Sequence, residues 1–379
     1  MDGQTANQAH RTLEPRIMKP LYIVGTQRDV GKTTVSIGLV HELCRRGLRV
    51  AYTKPVGQRT SQGEAGLTVH ADERVIARLL QPTDVKFQMA IPIMSGRVED
   101  AIYNFRPDKE MEKLRTMFAE LQADHDVLII EAMGHVAMGS VLGLSAADIA
   151  RQIGARAILV SGGGIGRAID DISLCGTFIS ARGADLLGVI VNKIWIEKYA
   201  RVKAATSQAL ANLNFTSLGA VPYQPQLAHP TMRQVSQEMG GRLLAGQDHL
   251  DLRVQNTIVA AMRAEHMVEH IEPGTLVVTP GDRTDNIKAA IHSRLDRGLE
   301  GVIGLLLTGG FEPEESAMAM ILSSPTPVIL VEESTYIAAN RLRDTVFKIT
   351  PDDKERIQYA VDLVAQHVDV DAIVRGLQD

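Results

Sequence analysis

Short runs of apolar residues alternate with amphipathic stretches along most of the chain. Residues 21–25 read as a buried strand and residues 33–46 as a helix closed by Gly47. Residues 49–53 repeat the strand pattern, and 72–80 and 111–123 carry apolar positions at helical spacing. Strands follow at 126–130, 156–160 and 186–191, with helices at 145–153 and 170–182 between them. Strands that alternate with helices of this length build βαβ units on a parallel sheet, with right-handed crossovers. The pattern restarts further on, with strands at 275–279, 301–307 and 328–331 and helices at 286–297, 314–322 and 334–343. A last helix is expected over 352–367, after Pro351.

Between the two sets lie Pro222, Pro225 and Pro230. Proline has no N–H to donate and holds the residue before it extended, so this stretch reads as a linker, with a polar helical stretch after it. The expected organisation is a mobile polar tail over 1–18, an α/β domain over 19–225, a smaller α/β domain over 226–350, and a C-terminal helical segment over 351–379. The chain's 379 residues suit two or three domains, and 45% hydrophobic with 22% charged residues is the balance of an ordinary globular protein. The net charge of −5 gives no global attraction for nucleic acid or anionic lipid, so any anion site must be local. No apolar run reaches the ~18–20 residues of a membrane span, and the first residues form no secretory signal. Cys44 and Cys175 stand apart in sequence, which speaks against a zinc or disulfide framework and for reduced thiols in a cytoplasmic protein.

The chemistry gathers after the first strand, in Gly25-Thr26-Gln27-Arg28-Asp29-Val30-Gly31-Lys32-Thr33-Thr34. A phosphate needs several backbone N–H groups aimed at one point and the positive end of a helix. Gly25 and Gly31 let the backbone turn tightly, Lys32 reaches the phosphates, and the Thr33 hydroxyl ligates magnesium. Counted from Gly25 the loop is one residue longer than the standard spacing, and Thr26 stands where the glycine would be. Lys54 follows the second strand in Lys54-Pro55-Val56-Gly57 and is expected in the crevice at the strand ends, stabilising charge on a transferred phosphoryl group. Glu131 ends a strand where P-loop enzymes hold magnesium, and Asp72 opens a helix as either a second metal-site carboxylate or a helix-start charge. Asn192, at the end of a later strand, reads as a purine contact or a turn residue. Ser161–Gly166 is glycine-rich but lacks the partners of a dinucleotide fingerprint, and His135 stands alone.

The Gly-Thr-x-x-x-Val-Gly-Lys-Thr loop, Lys-Pro-Val after the next strand, and a strand-end Glu before a glycine resemble dethiobiotin synthetase and its relatives, including cobyrinic acid a,c-diamide synthase, over residues 19–225. The resemblance implies ATP and Mg2+ as cofactors, held by Lys32, Thr33, Lys54, Asp72 and Glu131, with Asn192 on the adenine. It departs after Glu131, where Ala132-Met133-Gly134-His135 replaces the substrate-lining glycines. Thr279-Pro280-Gly281-Asp282-Arg283-Thr284 resembles the DRTGG signature, with Asp285 and Asn286 in place of its two glycines. A P-loop NTPase domain of this kind followed by a DRTGG-like α/β domain resembles the N-terminal portion of long bacterial phosphate acetyltransferases. Taken by itself, the Pro280–Thr284 turn is an anion cradle at a helix start or a tight turn capped by its own side chains.

Two functions fit. One is a nucleotide-dependent regulatory or sensing module, binding a metabolite effector and acting on a separate acetyltransferase catalytic protein. The other, which the intact Lys32, Lys54 and Glu131 favour, is an ATP-dependent synthetase that activates a carboxylate or carbamate, with Lys32 and Lys54 as its catalytic residues. No glutaminase cysteine is present in the second half. A homo-oligomer that binds neither nucleic acid nor membrane is expected in both cases.

Overall fold

The computed structural model describes residues 18–55, 71–80, 103 and 106–379, with the side chains of 71–73 outside that set. The chain forms two compact units, residues 1–224 with 349–379, and residues 225–348. Both are α/β.

In the first unit, β1 (Leu21–Gly25), β2 (Val50–Thr53), β3 (Val127–Glu131), β4 (Arg156–Gly162), β5 (Asp185–Ile194) and β6 (Ser217–Pro222) form one sheet in the order β2-β3-β1-β4-β5-β6. All its pairings are parallel. Strands β1, β2 and β3 are buried along their whole length, as continuous apolar runs covered on both faces must be. The helices are α1 (Lys32–Arg45), α2 (Ala71–Leu79), α3 (Pro107–Ala123), α4 (Ala146–Ile153), α5 (Arg167–Ala181) and α6 (Tyr199–Asn212). Tyr22 and Val24 point to one face, in a core shared with Leu114 and Phe118 of α3, Ile149 of α4 and Ile172 of α5. Helix α4 starts on a complete capping box between Ser145 and Asp148.

The second unit holds β7 (Arg242–Ala245), β8 (Asn256–Val259), β9 (Thr275–Pro280), β10 (Val302–Thr308) and β11 (Val328–Leu330), in the order β7-β11-β10-β9-β8. Strands β8 to β11 are parallel, and β7 runs antiparallel to β11 at the edge. Its longer helices are α7 (Met232–Met239), α8 (Thr284–Arg297), α9 (Glu315–Ser323) and α10 (Thr335–Asp344). Val277 packs with Ile287, Ala290 and Ile291 of α8 on one face of the sheet. Leu276 and Val278 pack with Met232 and Val235 of α7 and Ala338 of α10 on the other.

Hydrophobic patterning alone leaves β6, β7, β8 and α6 unassigned, each for a physical reason. Strand β6 mixes Ser217, Gly219 and Pro222 into its run. Strands β7 and β8 are edge strands that stay partly exposed, so they carry no continuous apolar signal. Helix α6 buries only Val202, Thr206 and Leu210. The proline-rich stretch holds a short helical turn, Pro225–Leu227, and Thr231 then caps α7 in a capping box with Gln234.

After the second unit the chain returns to the first. Two helices stand where one was expected, α11 (Lys354–His367) and α12 (Val370–Gln378). Helix α11 lies along α1, and a Cβ added at Gly38 would come within 2.3 Å of Val364 Cβ. Glycine is required there because two helices touch, not because the backbone turns. The Lys19 N–H donates to Leu377 O at 2.9 Å, which ties the last helix to the residues just before β1.

Candidate nucleotide site at the strand ends of the first unit

Strand β1 ends at Gly25, and the chain crosses to α1 through residues 26–31, of which Gln27, Arg28 and Asp29 are exposed. Gly31 adopts φ 96°, a left-handed conformation that costs an L side chain roughly 1–2 kcal/mol. A Cβ at Gly25 would meet Gln27 O at 2.9 Å and Lys32 Nζ at 3.0 Å. Thr26 is not among the positive-φ residues, so its backbone makes no demand for the glycine of the standard spacing. Asp29, with φ 55°, is the second left-handed position of the loop. Aspartate tolerates that region better than most residues.

Lys32 curls back over the loop, and Nζ donates to Gly134 O at 2.7 Å and Gln27 O at 3.2 Å. Val30 is buried, while Thr33 and Thr34 are half-buried in the first turn of α1. Glu131, at the end of β3 and 1% exposed, is where the polar groups converge. Its Oε1 accepts from Thr33 Oγ1 at 2.8 Å and from Lys54 Nζ at 2.9 Å. Its Oε2 accepts from Ser36 Oγ at 2.7 Å and Tyr52 OH at 3.0 Å. Four donors from α1, β2 and the residue after β2 thus share one buried carboxylate. The strand order explains this, since β3 lies between β1 and β2 and its end receives groups from both neighbours. Residues 33, 54 and 131 are therefore brought together. Asp72 sits in α2, and its side chain lies outside the described residues.

Ser36 and Tyr52 escaped the sequence reading. Ser36 falls one helical turn after Lys32, a polar residue inside the buried stripe of α1, and that placement is the signal that could have marked it. Tyr52 is buried in a strand, where a hydroxyl must find a partner.

Asn192 closes the far side of the loop. It is buried, its Nδ2 donates to Val30 O at 2.9 Å, and its Oδ1 accepts from Lys193 N at 2.8 Å. Lys193 Nζ donates to Asp29 O at 2.5 Å. A side chain at Gly31 would have its Cβ 2.0 Å from Asn192 Nδ2. Asn192 thus braces the loop backbone, a different contact from the purine edge that the resemblance implies for it. His135 is exposed, and its Nδ1 accepts only the local Ala137 N–H among its hydrogen bonds. Neither cysteine adds chemistry to the site. Cys175 is buried, and that burial, with Asp171 nearby, pushes its thiol up to about 11.

The donor set suits a hard divalent cation. Thr33 Oγ1 and Glu131 Oε1 are oxygens 2.8 Å apart, and magnesium takes one or two protein oxygens beside phosphate and water.

Residues 19–231 match the family described as AAA domain. The chain belongs to the AAA domain family. Its second unit matches the DRTGG domain over residues 234–345. Among curated proteins, phosphate acetyltransferase of Pseudomonas putida is 29% identical over 93% of this chain and 51% of that protein. Phosphate acetyltransferase of Nitratidesulfovibrio vulgaris is 26% identical over 92% of this chain and 50% of its own length. The chain thus spans about half the length of these relatives. Among solved structures, the septum site-determining protein MinD complexed with Mg-ADP from Pyrococcus horikoshii covers 55% of this chain and 83% of that chain, at 16% identity and TM-score 0.35. Among the described residues no helix is long and apolar enough to cross a membrane.

In the DRTGG unit the expected turn lies at the end of β9. Arg283 forms a two-pronged ion pair with Asp285, at 2.9 and 3.0 Å, and donates to Met262 O. Asn286 donates to Ala260 O and Met262 O. Thr279 Oγ1, Thr284 Oγ1 and Asn286 Oδ1 are buried without a hydrogen-bond partner among the described residues. A cavity of about 250 Å³ adjoins this loop, lined by Ile258, Ala260, Met262, Met267 and His270 among others. The two residues that replace the signature glycines are therefore structural, one pairing Arg283 and the other anchoring the loop after β8.

Proposed function

We propose that the AAA domain binds ATP with magnesium and that the chain acts as a nucleotide-dependent regulatory module for an acetyltransferase activity of the phosphate acetyltransferase type. The convergence of Thr33, Ser36, Tyr52 and Lys54 on Glu131 carries the reading, because it fixes a hydroxyl and a carboxylate together at the mouth of a glycine-bounded loop. Gly25, Thr26, Val30, Gly31, Lys32, Thr33 and Thr34 would hold the phosphates through loop N–H groups and the Lys32 ammonium. Thr33 and Glu131 would hold magnesium, with Asp72 as a further carboxylate from α2. Asn192 and Lys193 keep the loop in its cradle shape. The relation to phosphate acetyltransferases over nearly the whole chain supports the regulatory part. So does the DRTGG unit, whose residues contain no cysteine.

A titration of the full chain with ATP and magnesium, followed by calorimetry, tests this reading. Lys32→Ala should abolish binding, and Glu131→Gln should remove its magnesium dependence. Equal binding by wild type and Lys32→Ala would overturn the site.

Lys54 favours a second reading. It places a buried ammonium 2.9 Å from Glu131 beside the loop, a charge suited to phosphoryl transfer in a carboxylate- or carbamate-activating synthetase. Steady ATP turnover on adding simple carboxylates or amines, lost in Lys54→Met, would favour the synthetase. ATP binding without turnover favours the regulatory module.

A further inference from the structure

The four donors on Glu131 are sorted between its two oxygens. Strand pairing sets Tyr52 beside Ile129, so alternation along β2 and β3 puts Tyr52, Lys54 and Glu131 on one face of the sheet. Helix α1 packs on that face and brings Thr33 and Ser36, which are three residues apart and so share one side of the helix. Each element gives one donor to each oxygen. The pair nearer the loop, Thr33 and Lys54, takes Oε1 at 2.8 and 2.9 Å. The pair one step further in, Ser36 and Tyr52, takes Oε2 at 2.7 and 3.0 Å. Ser36 Oγ also lies 3.1 Å from Lys32 O, but its single hydroxyl proton serves the nearer carboxylate.

The two pairs differ in what else they can touch. Thr33 is half-buried in the first turn of α1 and Lys54 follows the end of β2, and both have a place in the nucleotide reading, one on the metal and one on the phosphates. Ser36 and Tyr52 are 0% exposed, so no ligand reaches their hydroxyls. What they hold is Glu131. A carboxylate free to rotate offers a cation no fixed lone pair. One whose Oε2 is gripped from a helix on one side and a strand on the other presents Oε1 in a single direction. Partners behind a metal ligand orient it in this way in metal sites generally.

We propose that Ser36 and Tyr52 are positioning residues that lock Oε2 of Glu131, so that Oε1 is the oxygen offered to magnesium. The proposal rests on the reading of the loop as an ATP and magnesium site. In the nucleotide-free protein Oε1 carries the Lys54 ammonium, a cation of the protein's own. Lys54 gives up that oxygen when phosphates offer it another anionic partner, while the grip on Oε2 is the same with and without nucleotide. The clamp keeps the shape of the metal site as the partners of Oε1 change.

The test measures ATP affinity of the full chain by calorimetry in two arms, with magnesium and in EDTA, and titrates magnesium into the ATP complex. Tyr52→Phe and Ser36→Ala each remove one hydroxyl and little else. Each should lower magnesium affinity about 10- to 100-fold, the usual range for outer partners of a metal ligand, and the loss should be confined to the magnesium arm. Ser36→Thr, which keeps a hydroxyl, should recover most of it. A merely structural role would weaken both arms alike in step with lower urea stability, and that result would overturn the clamp. An unchanged magnesium titration in either variant would also overturn it, since the grip on Oε2 needs both sides. Wild type that binds ATP equally in both arms would overturn the metal role of Glu131 and the clamp with it, while the phosphate loop stands. Wild type that binds ATP in neither arm would overturn the loop reading itself.

Discussion

The two units place their chemistry-bearing residues at the same kind of location, the carboxyl edge of a parallel sheet, and treat them in opposite ways. In the AAA domain, Thr33, Ser36, Tyr52 and Lys54 all end on Glu131, and Lys32 and Asn192 end on loop carbonyls. In the DRTGG unit, three polar atoms are buried at the β9–α8 junction with no partner among the described residues. A buried polar group that is satisfied holds one geometry, and one that is not raises the energy of the folded state. The first edge is therefore preorganised, and the second is the softer of the two. The units also differ in how they are assembled. The second is one continuous stretch of chain, whereas the first is completed by residues 349–379.

The largest effects should come from breaking the satisfied edge. Glu131→Ala removes the buried carboxylate that the Lys54 ammonium and three hydroxyls share. Removing one member of a buried ion pair typically destabilises by ~3–5 kcal/mol. Urea unfolding should report a loss of this order, assigned to the first unit by a probe within it such as Trp195 fluorescence. A loss below about 1 kcal/mol, the scale of an exposed pair, would mean that the carboxylate is not the centre of the network. Glu131→Gln keeps acceptor and shape and should fall between the two.

Helix α11 provides the next test. Gly38 has Val364 Cβ 2.3 Å and Ala360 O 2.9 Å from where its own Cβ would be. Gly38→Val must push α11 off α1, and overpacking of this kind costs about 1–3 kcal/mol. The same interface predicts that a chain cut after Gln224 exposes the apolar sides of α1 and β6, and that it is recovered in soluble form only when residues 349–379 are supplied. Equal solubility of the cut chain without them would show that the first unit stands on residues 1–224 alone.

The contrast between the two edges also bears on what the sequence could reveal. The loop after β1 is legible because its chemistry is contiguous, ten residues that run from the end of a strand into the first turn of a helix. Glu131 and Lys54 are legible because each directly follows an apolar run, and a charge at a strand end is a readable sign. Ser36 and Tyr52 are not legible in that way. They meet only through the order β2-β3-β1-β4-β5-β6, which local pattern does not encode. The bracing role of Asn192 was hidden for the same reason, since its partner Val30 is 162 residues away. The return of residues 349–379 escaped because apolar spacing in a helix says that a face is buried but not what it meets.

The smallest expected effect is the one that separates the two edges most directly. Thr279 and Thr33 are both threonines at a strand–helix junction. The Thr33 hydroxyl donates to Glu131, whereas the Thr279 hydroxyl, on a residue 0% exposed, meets no partner among the described residues. Replacing each by valine keeps the branched shape and removes the oxygen. Glu131 Oε1 keeps Lys54 as a donor, so the loss is that of one hydrogen bond to a charged group, about 1.5–3 kcal/mol, while deleting a polar group that has no partner can be neutral or stabilising. Thr33→Val should therefore lower the stability of the first unit and weaken magnesium-dependent ATP binding. Thr279→Val should leave the second unit unchanged or more stable, by at most about 1 kcal/mol, with ATP binding intact. Denaturant melts of the two variants beside the wild type measure both. A clear loss of stability in Thr279→Val would show that its hydroxyl is satisfied in solution by water or a small ligand. The second edge would then be a built polar site like the first, and the difference between the two units would lie in what each binds.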